Sequence, residues 1–250
     1  MAKVEIHREF LKADTWEELQ GIQSDQRKRV PPPPLEKPAP EDAERIDLVA
    51  PDAWEVAPVT VAEAIQRRQS HRRFSEAPLS LEELSFLLWA AQGVQGVFKN
   101  GIALRRTVPS AGARHPFETY VLVNRVADVT PGLYRYLSME HQLCFCYAEE
   151  GLVDQAVEAC HQQRWVASAA VTLIWTAIPY RTEWRYSVVS PKLVALDAGH
   201  VCENLYLACE AVGAGTCAVG AYDQQKLDAL LRVDGEDEFA IYVAPVGKVS

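Results

Sequence analysis

The sequence contains no long apolar run and no regularly spaced cysteine motif. No stretch of its 250 residues approaches the roughly 18 consecutive apolar residues that a membrane-spanning helix needs. Residues 1–18 also lack the apolar core of a secretory signal. The six cysteines form no Cys-x-x-Cys pair and no Cys/His set at zinc-finger spacing. We therefore expect a cytoplasmic protein without membrane partners or a metal site, in which Cys144 and Cys146 are buried, reduced thiols.

An excess of positive charge is missing as well. The chain carries 25 lysines and arginines against 34 aspartates and glutamates, which gives a formal net charge of -9 and an isoelectric point near 5.2. Attraction to nucleic acid or to an anionic membrane surface is therefore not expected. The hydrophobic share of 48% is ample for a sizeable core. The composition predicts one globular domain, with or without an appendage.

Residues 1–50 differ from the rest and are predicted to be an N-terminal Pro-rich arm or linker, followed by a domain over residues 51–250. Prolines at positions 31–34, 38 and 40 impose an extended run that cannot join a helix or a central strand. A short helix is expected before this run, over Trp16–Gln23. Two interpretations stay open: the segment is a flexible tail, or it is an arm that buries apolar side chains along a partner subunit.

From residue 59 onward the pattern predicts helices and strands in irregular alternation. Thr60 with Glu63 and Ser80 with Glu83 have capping-box spacing, so each pair begins a helix. Further predicted helices are Leu152–Gln162 and Ser190–Val212, and the predicted strands are Phe117–Val123, Gly132–Leu137, Gln142–Tyr147, Ala169–Ala177 and Phe239–Pro245. Because three strands follow one another directly, the order favours an α+β fold over a doubly wound one.

Two short segments carry the strongest functional signal. Residues 68–74, RQSHRRF, present arginines and a hydroxyl just after a predicted helix, and arginine pairs with phosphate in a bidentate way. Residues 109–116, PSAGARHP, contain a turn of small residues whose backbone can approach a flat aromatic ring. Together they predict the two halves of a flavin mononucleotide (FMN) site. The alternative for the arginines alone is a solvated helix face.

Several sequence blocks resemble the nitroreductase superfamily: RRQSHRRF, VPSAGARHPFETYVLVNRV, PGLYRY, LDAGHVCENLYLACEAVGAGT and YVAPVGK. Within it, the chain is similar to the SagB-type, or azoline-oxidase-like, flavin dehydrogenases over roughly residues 45–250. The resemblance implies a nitroreductase-like fold with a central, mostly antiparallel sheet flanked by helices. It also implies an intertwined homodimer, with two FMN sites at the interface built from both subunits.

The resemblance implies roles for single residues. Contacts to the FMN phosphate and ribityl chain fall on Arg68, Ser70 and Arg72, with Gln69 adjacent. The turn that reaches the flavin from the other subunit corresponds to Pro109, Ser110, Ala111 and Gly112. The remaining implied contacts are Gln163 at the polar edge of the ring, Val219 and Gly220 at flavin N5, and Lys248 at the phosphate. For Lys248 a solvated side chain is the alternative.

In azoline oxidases of this family, FMN takes a hydride from a thiazoline or oxazoline of a modified peptide. Aromatisation also releases a proton, so a base is needed. The family's Lys-Tyr pair corresponds here to Arg185 and Tyr186, and because arginine stays protonated, only Tyr186 is left as the base. The alternative is that Tyr186 is a pocket wall without proton chemistry.

Three functions stay open at this point. The first is an FMN-dependent, SagB-type oxidoreductase that transfers hydride between flavin N5 and a small-molecule or modified-peptide substrate, such as an azoline-like heterocycle. The second is an NAD(P)H-dependent nitro- or quinone reductase. The third is a flavin-binding partner subunit of a peptide-modifying complex.

His200 is expected to be packed and hydrogen-bonded in the long helix rather than to act as a base, and His115 is expected at the substrate mouth. Gly213 and Gly215 follow a helix rather than a strand, so a dinucleotide fingerprint is disfavoured.

Overall fold

The structure, a computed structural model, describes residues 7–13, 15–98 and 101–249. In the described chain the strands are β1 (Arg45–Asp47), β2 (Val94–Phe98), β3 (Ala103–Arg106), β4 (Phe117–Val123), β5 (Gly132–Leu137), β6 (Gln142–Tyr147), β7 (Val171–Ala177), β8 (Ala214–Thr216) and β9 (Phe239–Lys248). Strands β2 and β3 form a separate hairpin, and the others form one sheet in the order β1-β6-β5-β4-β7-β9-β8. Every neighbouring pair in this sheet is antiparallel.

Helices cover both faces of the sheet. Their bounds are α1 (Thr15–Gly21), α2 (Val61–Arg67), α3 (Leu81–Gln92), α4 (Leu152–Ala159), α5 (Trp165–Ser168), α6 (Tyr180–Tyr186), α7 (Ser190–Ala211) and α8 (Gln224–Leu231), with short 3-10 turns at Ala111–Ala113 and Ser187–Val189. One face packs against α3 and α7 through side chains such as Leu88 and Leu205. The other packs against α4 and α8 through Leu152 and Leu227. The predicted α+β fold with a central antiparallel sheet is confirmed.

Local sequence signals account for many element boundaries. Thr60 and Ser80 both cap their helices in complete capping boxes, as predicted. The strand predicted over Ala169–Ala177 is observed as β7, and it is buried at every position, as its apolar, β-branched sequence favours. Helix α4 ends at Ala159 instead of Gln162 because His161 and Gln162 adopt positive φ angles of 52° and 61°, which no right-handed helix accommodates.

The hairpin β2–β3 was not predicted. Its two strands, VQGVF and ALRR, mix polar and apolar residues without strict alternation, so they lack the periodicity of a half-buried strand. A register shift between Val94 and Gly96 breaks the pattern further. The hairpin stands outside the main sheet and leads directly into the small-residue turn.

The Pro-rich run lies against the sheet of its own chain. The Lys37 amide donates to Glu118 Oε1 at 2.7 Å, and Arg135 Nη1 donates to the Lys37 carbonyl at 2.7 Å. Glu118, only 2% exposed, also forms ion pairs with Arg135 at 3.0 Å and Arg181 at 2.5 Å. A buried charge cluster on β4, β5 and α6 therefore fixes this part of the N-terminal segment.

One of the two cysteines of β6 differs from the prediction. Cys144 is buried but Cys146 is exposed. Strand β1 pairs with β6 only from Gln142 to Cys144, so Cys146 lies where the edge of the sheet is open. Across the described ranges, His, Cys, Asp and Glu side chains form no group of three that could hold a metal ion, and no helix there is long and apolar enough to cross a bilayer.

Candidate active site

The arginine segment lies across the edge of the sheet. The His71 amide donates to the Thr216 carbonyl and the Ser75 amide to the Lys248 carbonyl, both at 2.9 Å. Gly215 and Gly247 are paired across β8 and β9 beneath this segment. A Cβ on Gly215 would lie 2.5 Å from the His71 ring, and one on Gly247 would lie 2.8 Å from the Phe74 side chain. Two facing glycines thus make room for residues 71–75.

The arginines of this segment keep their charge available. Arg67 pairs with Glu63 at 3.5 Å, whereas no carboxylate of the described residues lies at ion-pair distance from Arg68 or Arg72. Arg68 instead lies 5.5 Å from the centre of the Tyr206 ring, and Arg72 lies 5.7 Å from that of Trp165. Guanidinium groups held on aromatic faces and free of carboxylates can bind an anion bidentately.

Tyr206 connects the arginine segment to a second predicted contact. Its hydroxyl lies 3.2 Å from Ser70 Oγ and accepts the Ala218 amide at 2.8 Å. The next residue along the backbone is Val219, whose amide donates to the Val243 carbonyl at 2.7 Å. It is followed by Gly220, which is exposed.

Gln163 reaches the same region, since its Nε2 donates to the Ala221 carbonyl at 2.9 Å. The structure therefore brings one group of predicted residues together at the sheet edge: Arg68, Gln69, Ser70, Arg72, Gln163, Val219 and Gly220. Sequence reasoning missed Tyr206 and Trp165, because their role depends on contacts with residues far away along the chain.

The small-residue turn is held by a buried carboxylate that sequence reasoning also missed. Ser110 Oγ donates to Asp197 Oδ2 at 2.5 Å, and the Ala111 amide donates to Asp197 Oδ1 at 3.1 Å. Asp197 is only 3% exposed, and burial raises the pKa of its carboxyl group. The Ser110 hydroxyl also accepts the His115 amide at 2.9 Å. The Ser110 hydroxyl and the Ala111 amide are thus both engaged in holding the shape of the turn.

Gly112 places this turn directly against Arg185 and Tyr186. Its φ angle is 60°, and a Cβ at this position would lie 2.7 Å from the Tyr186 hydroxyl and 3.0 Å from Arg185 Cδ. The Arg185 guanidinium lies 5.3 Å from the centre of the Tyr186 ring. The predicted catalytic pair and the predicted flavin-contacting turn, which are more than 70 residues apart in the sequence, are therefore neighbours.

Within one chain, the two groups of residues lie at different points of helix α7. Ser70 contacts Tyr206, whereas Ser110 contacts Asp197, nine positions earlier on the same helix. At a rise of 1.5 Å per residue these two anchoring points are about 14 Å apart. Lys248 lies at the C-terminal end of α7, where its Nζ donates to the Val212 carbonyl at 2.6 Å and pairs with Glu83.

The two histidines occupy contrasting environments. His200 was expected to be packed, but its side chain is 49% exposed and its Nδ1 lies 3.9 Å from Asp197 Oδ1; position 200 falls on the solvent side of α7. His115 is buried, with Nε2 3.1 Å from the Leu104 carbonyl, and burial lowers the pKa of its ring to about 3. It lines a cavity of about 770 Å³ between the β2–β3 hairpin and the turn.

The donor set fits a phosphate-bearing, planar cofactor. Arginines without carboxylate partners supply positive charge, and the exposed Gly220 together with the turn of small residues supplies backbone that a flat ring can approach. The protein is thus an α+β protein whose candidate site has the charge and the open backbone that such a cofactor needs. The chain belongs to the nitroreductase family, whose model matches residues 65–248. Members of this family are oxidoreductases that generally use flavin cofactors.

Relatives agree with this assignment. A Methanocaldococcus jannaschii protein named as a nitroreductase is 33% identical over 203 residues, which cover 81% of this chain and 96% of the relative. The trifolitoxin-processing protein TfxB of Rhizobium leguminosarum bv. trifolii is 29% identical over 164 residues, covering 62% of this chain and 44% of that protein. Among solved structures, a Ralstonia eutropha protein named as a nitroreductase is 28% identical with a TM-score of 0.67, covering 88% of this chain and 99% of that one.

Proposed function

We propose that this protein is an FMN-dependent oxidoreductase of the SagB type. It acts as a cytoplasmic homodimer and oxidises an azoline-like heterocycle, presented on a small molecule or a modified peptide, to the corresponding azole. Oxidation of an azoline removes two hydrogens, one as a hydride and one as a proton. Bound FMN would supply a hydride acceptor at its N5 atom. The chain itself must hold the cofactor, orient the substrate and take the proton.

The contact between Gly112 and Tyr186 carries this proposal. The family resemblance assigns the turn to the flavin and Tyr186 to the substrate, and the structure holds them within van der Waals contact of each other. A side chain beside the turn that approaches the flavin is close to any substrate stacked on that ring. Tyr186 is thereby within reach of a proton lost during aromatisation. Arg185, which stays protonated, stabilises a negatively charged phenolate or substrate next to it.

The arginine group is proposed to hold the phosphate. Arg68 and Arg72 have no carboxylate partner within the described chain, and Ser70 lies beside them. The backbone at Val219 and Gly220 would face the ring, with Gln163 at its polar edge. Lys248 would contact the phosphate only by leaving Glu83 and the end of α7, so its share of the binding is smaller than that of the two arginines.

A homodimer accounts for the separation of the two groups. The anchoring points of the arginine segment and of the turn lie about 14 Å apart on α7, so each would serve a flavin together with the complementary group of the other subunit. Large apolar side chains are exposed near both groups, including Ile65 at 60% and Leu196 at 53%. A partner subunit that covers them would remove this apolar surface from water.

The TfxB relative supports a peptide substrate, since its name assigns it to the processing of trifolitoxin. A second function, reduction of nitro compounds or quinones with NAD(P)H, is favoured by the M. jannaschii relative, which shares more of this chain's length. The two functions differ in what reduces the flavin, and that difference can be measured.

The cofactor is tested first. Purified protein should be yellow, and Arg68→Ala with Arg72→Ala should lose the flavin because each charge-assisted contact to phosphate contributes about 1.5–3 kcal/mol. Arg67→Ala is the matched control, since Arg67 is exposed and pairs with Glu63; it should retain the flavin. Full retention by the double variant would contradict the proposed phosphate site.

The substrate is tested by anaerobic bleaching of the bound flavin. A synthetic 2-aryl-thiazoline should bleach the flavin and yield one equivalent of thiazole, whereas NADH and NADPH should bleach it slowly. Rapid bleaching by NAD(P)H, with multiple turnovers of a quinone and none of the thiazoline, would establish the reductase instead. A flavin that none of these compounds reduces would overturn both enzymatic functions and favour a flavin-binding partner subunit.

A further inference from the structure

The N-terminal segment, residues 7–13 and 15–30, lies outside the part of the chain that matches the nitroreductase family model, which begins at residue 65. It nevertheless packs on helix α6, which carries Arg185 and Tyr186. The Gln26 amide donates to the Trp184 carbonyl at 2.8 Å, and Trp184 Nε1 donates to the Val30 carbonyl at 2.9 Å. The Tyr180 hydroxyl donates to Asp25 at 2.9 Å. Three hydrogen bonds therefore fasten residues 25–30 along α6.

The earlier part of the segment is fastened to the next helix. Lys192 Nζ, in the first turn of α7, donates to the carbonyls of Leu11 and Lys12. Between these two attachments lies α1, and its Trp16 ring meets the Tyr186 ring edge to face, with 6.0 Å between the ring centres. Trp16 is 41% exposed, so one part of the indole contacts Tyr186 while another part remains open.

We propose that Trp16 forms an aromatic wall beside Tyr186 and limits the size of the planar substrate that can reach it. This inference rests on the proposed function, because it takes Tyr186 to face the substrate. The Tyr186 ring has Trp16 on one side and the Arg185 guanidinium 5.3 Å from its centre. Gly112 closes the region next to the hydroxyl. Trp16 thus adds a large aromatic ring beside Tyr186 from a part of the chain that precedes the region matched by the family model.

The side chains around Tyr186 also indicate which class of substrate fits beside it. Two aromatic rings favour a flat, unsaturated ring. Arg185 has no carboxylate at ion-pair distance within the described ranges, and Arg114, whose guanidinium lies 5.2 Å from the Trp184 ring, adds a second positive charge nearby. A planar heterocycle or quinone with a polar, electron-rich edge fits this combination. A substrate with a second fused ring would contact the indole.

The test uses two quinones of different size. The bound flavin is photoreduced without oxygen and then mixed with 1,4-benzoquinone or with 2-methyl-1,4-naphthoquinone, and reoxidation is followed by stopped flow. In Trp16→Ala, the rate constant for the two-ring quinone divided by that for the one-ring quinone should rise at least fivefold. Trp16→Phe, which keeps an aromatic ring of smaller size, should give an intermediate ratio.

Leu11→Ala is the matched control. Leu11 is 68% exposed in the same segment, and its contact to Lys192 uses the main-chain carbonyl, which the substitution keeps. Its ratio should equal that of the wild type, and all variants should retain flavin. An unchanged ratio in Trp16→Ala would refute the role of the indole. Wild-type flavin that the 2-aryl-thiazoline does not bleach would instead show that the proposed function has failed.

Discussion

Replacement of Gly112 by alanine tests the contact on which the proposed function depends. The residue has a φ of 60°, which costs an alanine roughly 1–2 kcal/mol. The new methyl group would also lie 2.7 Å from the Tyr186 hydroxyl, closer than such atoms can approach. Overpacking of this kind costs about 1–3 kcal/mol. We therefore expect Gly112→Ala to lower the free energy of unfolding by about 2–5 kcal/mol.

Gly213→Ala is a control matched in backbone conformation. Gly213 has a φ of 58°, but no atom lies within 4 Å of the position its Cβ would take. Its substitution should therefore cost only the roughly 1–2 kcal/mol of backbone strain. The difference between the two variants isolates the contact with Tyr186. Urea titration of the flavin-free proteins at one fixed concentration measures both values without ligand stabilisation.

A third variant shows whether the Tyr186 hydroxyl causes the additional loss of stability in Gly112→Ala. In a Tyr186→Phe background the closest approach to the alanine methyl group is 3.0 Å instead of 2.7 Å, so the excess cost of Gly112→Ala should fall by about 1 kcal/mol, a coupling typical of residues in contact. Equal losses for Gly112→Ala and Gly213→Ala, with no coupling to Tyr186→Phe, would refute the packing of the turn against Tyr186.

Two further predictions concern buried ionisable groups, Glu118 and His115. Glu118→Gln leaves Arg135 and Arg181 buried without their carboxylate and should cost about 3–5 kcal/mol in urea unfolding. Glu76→Gln is the control, because the Glu76 side chain is 87% exposed and its ion pair with Arg125 is long, at 3.7 Å; it should cost less than about 1 kcal/mol. Similar losses for the two variants would contradict the role of the cluster. The folded-state pKa of His115, about 3, lies below its unfolded value near 6.5. The contribution of the neutral ring to the free energy of unfolding is therefore fully present above pH 6.5 and is lost as the pH falls toward 3. Between pH 7.0 and pH 4.5 the wild type should therefore lose about 2–3 kcal/mol more than His115→Gln, and equal losses would show that the ring is not held neutral.

Much of the fold could be predicted because its signals are local. The capping boxes at Thr60 and Ser80 and the apolar run of β7 each lie within a few residues of sequence. The hairpin β2–β3 could not be predicted, since it lies outside the main sheet and its strands do not alternate. The position of the Pro-rich run was open for a similar reason. Its partner, Glu118, is 81 residues away from Lys37, and no local pattern reports such a contact.

The candidate site divides in the same way. Arginines and small residues in two short segments indicated a cofactor site. In the structure these two segments form separate groups, one anchored at Tyr206 and the other at Asp197. The residues that hold them, Tyr206 and Asp197, contact the segments from 136 and 87 positions away. In the sequence, the lone aspartate in the run LVALDAG of the predicted long helix was a signal that could have identified the support of the turn. Trp16 gave no such signal, because its contact with Tyr186 joins two parts of the chain 170 residues apart.

The facing glycines beneath the arginine segment also have a consequence for the order in which the protein folds. Residues 71–75 rest on strands that the ribosome produces more than 140 residues later, since Gly215 and Gly247 lie near the end of this sequence. Contacts between such distant residues form late, because the intervening chain must first be ordered. During synthesis the arginines therefore remain without their support until β8 and β9 have emerged and paired. Cofactor capture would then report that the C-terminal strands are in place.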